Sequence, residues 1–496
     1  MKKVTKIAVA ITVLSTTSLA LFSTNAEAVP SYSRRYGIDC STCHTVWGAL
    51  TGPGNTFKMS GYRAINGKDL KPVEQDTALG NGTVTIPSSF PASLITGVGV
   101  EYRSEKRASS TGATQRSEGS SLVLEDASIF LTSPLGKHLS TFIEFPMYET
   151  KAWEFTPTGP FEANNVGASK NIRFNAETPG FEVAKFWWNS LLPEDIAPRD
   201  SVNLMAGITH PPLAYSPGKV RLSINQYPIY ERRALDLLSS KKVDDMLPGE
   251  VGNTLFRLSE PQILAEINGM FVPGGEITDV SKKETFWVQY NLGVTNGSNG
   301  KADNNPQKDF YGRFVARWFG QSLGVFGYYS ADTYGDDVRN SGTSTVASGT
   351  GIMSGTGGHN STYRVGPDMT LSLAAPFGIP VWLENQFMYN RESDPTGFGK
   401  EFKWMGGFHQ LNWQPTKKSV TYARYDWVKG DSYNDTAAGG NTNSKPSEWD
   451  VVAGVQYLIL QNMKVAAEYR HHEFDNKANG SNLTDDGFTT RFMLGF

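Results

Sequence analysis

Two cysteines in 496 residues exclude both the disulfide lattice of a small secreted scaffold and a four-cysteine zinc site. Long hydrophobic runs are missing too. Beyond residue 22 nothing approaches about 18 consecutive apolar positions, which excludes a helical membrane span. Charge of one sign is absent as well: 46 Lys and Arg face 49 Asp and Glu, a net charge of −3. With no basic stripe, nucleic acid is not an expected partner. Helical patterning is also scarce. Only Tyr230 to Met246 reads as helix, whereas a soluble chain of this length normally divides into several cored domains with visible helices. The chain is instead rich in glycine (50) and in aromatics, with 27 Phe, 20 Tyr and 11 Trp, a composition suited to turns and strands.

Residues 1–28 read as an export signal. MKKVTK is followed by the short apolar runs IAVAITVL and SLALF, and Ala26-x-Ala28 forms a cleavage site, so the mature chain is expected to begin at Val29. The run is too short and too interrupted by Ser and Thr for a membrane anchor. Removal of the leader takes three lysines and one glutamate and moves the net charge to about −5.

Both cysteines lie in DCSTCHTVWG, residues 39–48. A disulfide across two intervening residues would be strained and would leave His44 without a reason. A zinc half-site has no further Cys and no nearby H-x-H to complete it. The order C-x-x-C-H is what c-type haem attachment requires. Cys40 and Cys43 would form thioethers to the porphyrin, and His44 would be an axial ligand of the iron. This predicts one covalently bound c-type haem, a group assembled outside the cytoplasmic membrane, in agreement with the leader. Met59 is the candidate for the opposite axial position, and His138, in the turn SPLGKH, is its rival.

From about Leu94 onward the periodicity is two. In FWVQYNLGV, Phe286, Val288, Tyr290, Leu292 and Val294 share one face, while Trp287, Gln289, Asn291 and Thr295 share the other. In FYGRFVARW, Phe310, Phe314, Ala316 and Trp318 oppose Tyr311, Arg313 and Arg317. Strict alternation means strands with one apolar and one polar face. Short links at 133–138, 320–322, 377–380, 416–419 and 460–462 alternate with long polar ones at 296–308, 336–360, 431–447 and 475–487. That rhythm, with a terminal Phe496, predicts an all-β, outer-membrane antiparallel β-barrel rather than a soluble sandwich. About sixteen strands are expected, beginning near 95, 120, 139, 171, 201, 255, 284, 308, 323, 361, 380, 402, 419, 446, 463 and 487. An even number puts both termini in the periplasm. Residues 29–93 would be a small haem segment in or at the periplasmic mouth, 94–496 the barrel, and 216–254 a constriction or plug. Charged side chains such as Arg313, Arg317, Arg424, Glu468 and Arg470 should face inward.

The N-terminal region PSYSRRYGIDCSTCH, the downstream FKMSGYR and the long barrel together resemble the fused monohaem cytochrome–porins, the iron(II)-oxidising outer-membrane cytochromes of iron-oxidising bacteria. The specific likeness lies between Pro30 and Arg63. It implies a conduit that takes electrons from extracellular Fe(II) to a periplasmic c-type cytochrome or another soluble carrier, with Cys40, Cys43 and His44 as haem residues. An outward conduit to extracellular acceptors, or a diffusion porin with an accessory haem, would use the same architecture. Tyr32, Tyr36, Trp47, Phe57 and Tyr62 are expected to shield the ring, and Arg34, Arg35 or Arg63 to meet its propionates. Loop acids Asp303, Asp309, Asp336, Asp337, Asp431, Asp435, Asp485 and Asp486 could attract ferrous ions, without any one of them forming a site.

Overall fold

The computed structural model describes residues 31–46, 49–79, 84–108, 114–148, 154–155, 172–173, 181–216, 221–238, 256–297, 307–333, 359–395, 400–435, 442–476 and 481–495. Sixteen strands close into one barrel: β1 (Ala92–Ala108), β2 (Thr114–Pro134), β3 (Leu139–Tyr148), β4 (Val183–Trp188), β5 (Asn203–Thr209), β6 (Gln262–Phe271), β7 (Trp287–Thr295), β8 (Asp309–Trp318), β9 (Gln321–Thr333), β10 (His359–Ser372), β11 (Val381–Glu392), β12 (Phe402–Thr416), β13 (Ser419–Gly430), β14 (Pro446–Leu460), β15 (Met463–Asn476) and β16 (Ser481–Gly495). Each pairs antiparallel with the next, and β16 closes on β1, with Phe488 opposite Tyr102.

Burial is inverted relative to a soluble protein. Along β8, Phe310, Phe314 and Trp318 are exposed on the outside, while Tyr311, Arg313 and Val315 are buried inside. Glu266, Arg313, Asp368, Arg424, Asp450 and Glu468 are all buried, and they face a lumen, not an apolar core. Inside that lumen Arg313 pairs with Asp368 at 2.6 Å, Arg424 with Asp426 at 2.7 Å and Arg470 with Asp450 at 2.8 Å. An apolar outer wall and a charged inner wall make this an outer-membrane-type barrel. Among the described residues no helix is long and apolar enough to cross a membrane.

Four strand starts depart from expectation, among them β2, which begins at Thr114 rather than near 120. The fourth barrel strand begins at Val183 rather than near 171, and β6 at Gln262 rather than near 255. Pro179-Gly180 precedes the first and Pro261 the second, and proline is excluded from the middle of a sheet. The last hairpin runs further than its polar sequence suggests. β15 reaches Asn476 and β16 starts at Ser481, so Asp485 and Asp486 lie in a strand rather than in a loop, as does Asp309 in β8. Asp303, Asp336, Asp337 and Phe496 fall outside the described residues.

At one end of the barrel most links are tight, such as 319–320, 417–418 and 461–462. The exceptions there, 189–202 and 272–286, clasp the N-terminal segment. Arg63 pairs with Asp200 at 2.8 Å, and Gly67 lies against the backbone of Ile277 and Thr278.

The inward segment is built differently from the single helix that the sequence suggests. Pro228–Glu231 and Ala234–Leu238 form two short helices interrupted at Arg232 and Arg233, and residues 239–255 lie outside the description. From Arg221 to Leu238 the chain packs within the barrel. Glu468 accepts from Ser223 Oγ at 2.7 Å, from the backbone N–H of Ile224 and of Asn225 at 2.8 Å each, from Asn225 Nδ2, and from Tyr422 Oη at 2.6 Å. Arg232 grips Glu448 through two nitrogens at 2.6 Å. Tyr227 and Tyr230 are fully buried and donate to Gln410 and Gln386. A hydrogen bond to a charged group contributes about 1.5–3 kcal/mol, so Glu468 is the firmest anchor of this segment. Replacing it, Glu468→Ala, is expected to raise single-channel conductance in planar bilayers severalfold over wild type. Unchanged conductance would mean that this contact does not hold the lumen closed.

Candidate haem site

The motif region folds as three short helices. α1 (Ser31–Tyr36) ends at Gly37, whose φ of +62° lets its N–H reach Ser33 O at 2.8 Å. α2 is a single turn, Cys40–Cys43, closed by the His44 N–H on Cys40 O at 2.9 Å. α3 (Gly52–Met59) is capped by Thr51, whose Oγ1 accepts from Gly54 N at 3.1 Å. The same Thr51 ties α3 to α2: its N–H donates to Cys43 O and its hydroxyl to Thr42 O, both at 2.9 Å. Gly54 lies so close to α2 that an added Cβ would stand 2.1 Å from Cys43 O. Only glycine permits that approach.

The unit is pinned to the tight-turn end of the barrel. In the β14–β15 turn Gln461 accepts from Cys40 N at 3.3 Å and donates to Asp39 at 2.9 Å. The carbonyl of Met59 accepts from Asn203 Nδ2 at 3.2 Å. In the downstream FKMSGYR, Gly61 passes Asn189 and Ser140 where no Cβ fits. Tyr62, held at φ +63°, stacks on Tyr32 at 4.9 Å and meets Phe142 and Trp187 of the barrel wall at 5.6 and 5.2 Å.

Cys40, Cys43, His44 and Met59 all line one lumenal cavity of about 860 Å3, inside the range of cavities that hold cofactor-sized ligands. The two cysteines form no disulfide. Burial raises both thiols, and with Cys40 adding to the effect Cys43 reaches about 11; these are protonated thiols, unlike the low-pKa thiolates of redox centres. Burial, then the charge of Lys464, lowers His44 to about 4 against an opposing contact with the Ala49 carbonyl. The ring is therefore neutral, and its Nδ1 is buried with no hydrogen-bond partner. Two unpaired thiols on one turn, a neutral imidazole beside them and a cavity in front fit a covalently attached c-type haem.

The other expectations divide. Met59 is buried against Met270, Ile277 and Trp287 on the cavity wall. His138 does not line the cavity. It is exposed in the turn before β3, with Nδ1 at 3.1 Å from Asn189 O. Arg34, Arg35 and Arg63, expected at the propionates, are committed elsewhere: to Ala92 O, to Asp76 and to Asp200. None of the three lines the cavity. Tyr32, Tyr36, Phe57 and Tyr62 form one aromatic cluster with Cys43, whereas Trp47 lies outside the described residues. Absent from the sequence reading are His210, Lys58 and Lys185, which line the cavity together with Arg317, one of the side chains expected to face inward. The alternation in VAKFWW put Lys185 on the face of Val183 and Trp187, the only signal that could have found it.

No protein-family model and no curated protein sequence matches the chain. Among solved structures it is similar to the outer membrane channel DcaP of Acinetobacter baumannii, at 9% identity and a TM-score of 0.43, covering 82% of this chain and 97% of that one. It is similar also to an anion-selective porin from Comamonas acidovorans, at 10% identity and 0.42, covering 82% and 100%. A third is Pseudomonas putida OprB, at 9% and 0.42, covering 82% and 94%.

Gly54→Ala forces α3 away from Cys43 and spoils the presentation of both thiols. We expect less covalent haem per barrel, read as peroxidase-type haem staining against total protein on denaturing gels, with Gly52→Ala as control because open space surrounds that position. Equal staining of both variants would show that the α2–α3 contact is dispensable.

Proposed function

We propose that this chain is an outer-membrane cytochrome–porin that oxidises extracellular Fe(II), or a similar one-electron donor, and passes the electron to a periplasmic c-type cytochrome or another soluble carrier. The observation that carries this reading is the C-x-x-C-H turn on the wall of a lumenal cavity, with the buried Nδ1 of His44 unpartnered. When bound, one covalent c-type haem supplies a one-electron carrier. Cys40 and Cys43 would hold it, and His44, kept neutral by burial, would offer a ring nitrogen to its iron. Tyr32, Phe57 and Tyr62, which cluster beside Cys43, would restrict water around it, and a drier surround is one of the levers on redox potential. The resemblance in PSYSRRYGIDCSTCH favours ferrous iron as donor. The tight-turn end, where the N-terminal segment docks, is the periplasmic side in this reading, with both termini there and the long links facing outward.

Electron transfer without passage of the ion suits a filled lumen. The segment 221–238 inside the barrel favours a conduit over a diffusion porin. Stopped-flow mixing of the purified, oxidised protein with Fe(II) near neutral pH is expected to reduce the haem promptly, and Cys43→Ser to remove covalent haem staining. An oxidised haem that stays unreduced, while its reduced form discharges to ferric chelates, would reverse the direction of flow.

For the second axial position Met59 is favoured over His138, since only Met59 lines the cavity. His210, on the same wall, is the new competitor. A near-infrared charge-transfer band lost in Met59→Leu and kept in His210→Gln is the expected result; its persistence in Met59→Leu would assign the position to another residue.

A further inference from the structure

The cavity that carries the C-x-x-C-H turn has an unevenly charged wall. Its acids are mostly engaged. Asp368 binds Arg313 at 2.6 Å. Glu266 accepts from Asn268, Asn291 and Tyr311 at 2.9, 2.7 and 2.9 Å. Glu384 accepts from Trp382 and Gln410 at 3.0 and 3.2 Å.

Two ammonium groups on that wall are not engaged in this way. Lys185, only 7% exposed, bonds to Thr209 Oγ1 at 3.1 Å and lies over the rings of Trp187 and Phe142. Lys58, on the inner face of α3, lies in the same field, and no ion pair to a carboxylate forms at either lysine among the described residues. Their charges act on the same neighbours. Burial, then Lys185 and Lys58 and then Arg221, push His210 down to about 3, while Glu266 offsets part of the field at both lysines. Burying two like charges with no direct ion-pair partner is costly, and an anion bound in the cavity would offset that cost. Arg35, Arg63 and Arg34 are already bound to Asp76, to Asp200 and to a backbone carbonyl, while Arg317, on the same wall, lies over the Trp287 ring.

We propose that Lys58 and Lys185 form the carboxylate-binding pole of this cavity and receive the two propionates of the haem anchored at Cys40 and Cys43. The assignment rests on the haem reading above. α3 is tied to α2 through Thr51 and Gly54, so the covalent anchor and Lys58 belong to one unit, while Lys185 comes from the barrel wall. The haem would then be clamped between segment and barrel: thioethers on one side, ammonium–carboxylate contacts across the gap. An ammonium binds carboxylate as a compact point charge, and cations there favour the reduced, less positive state of the haem.

The test uses the matured, full-length protein in detergent, with Lys58→Met, Lys185→Met and the double variant. Covalent haem staining should match wild type in all three, since the thioethers are untouched. The propionate-bending modes in resonance Raman spectra should shift, and the reduction equilibrium should fall about tenfold per lysine, or about 59 mV for a one-electron couple. Lys58→Arg and Lys185→Arg keep the charge and should restore the potential while still moving the Raman modes. Stained protein with wild-type modes and potential in both methionine variants overturns the assignment. If the methionine variants do not assemble, unshifted Raman modes in both arginine variants overturn it equally. An unstained wild type removes the haem reading itself, and this assignment with it.

Discussion

Tyr62 is the joint on which this architecture depends. A segment of about 60 residues makes only a marginal core of its own, and its aromatic cluster is extended by Phe142 and Trp187 of the barrel. Tyr62 does this at φ +63°, a conformation unfavourable for a bulky residue. Gly61 makes the approach sterically open, and Arg63 on Asp200 fixes the direction of exit. Three consecutive residues thus tie the N-terminal segment to the wall of the lumen.

The same dependence runs the other way. A barrel of sixteen strands encloses more space than its own side chains fill, and an inner wall this charged is tolerable because water or polar partners satisfy it. Here much of the satisfaction comes from protein. Glu468 is capped by the backbone N–H groups of Ile224 and Asn225, an anion-binding nest of the kind that successive amides form. Leu222 of that inward segment meets Val46 and Ala49 of the motif loop together with Val420 and Val452 of the wall. Segment, plug and wall therefore share apolar contacts around the motif, and none of the three is a spectator.

Much of this was legible in the sequence, for reasons that differ by element. The period-two alternation survives in β7 and β8 because one face meets lipid and the other the lumen. The strand count was therefore readable even where β4 and β6 start late, after Pro179-Gly180 and Pro261. The C-x-x-C-H turn was readable because its chemistry is local. Long-range pairing was not. Arg34, Arg35 and Arg63 look like propionate partners by proximity in sequence, yet each finds an acceptor far along the chain, at Ala92, Asp76 and Asp200. Lys185 and His210 reach the cavity only because β4 and β5 pass behind it, which no local pattern states. Asp485 and Asp486 read as loop acids because the last hairpin is polar on both faces, beyond the reach of the lipid-facing alternation.

If the proposed function holds, the packing of the lumen would also separate substrate from electron. A wall lined with Arg–Asp pairs and an inward-packed segment would oppose the passage of a hydrated cation, since burying an ion away from water is costly unless fixed charges compensate it. An electron needs no such compensation along its path, only proximity of donor and acceptor. In that reading, placing the segment that carries the C-x-x-C-H turn inside the barrel would serve both ends with one packing. The apolar band is about 25 Å tall, and the inward chain occupies part of that height with aromatic and polar contacts. What a porin leaves as water, this chain fills with residues that hold the motif in register with the wall. Under the proposed function, selectivity between ion and electron would follow from the packing of the lumen.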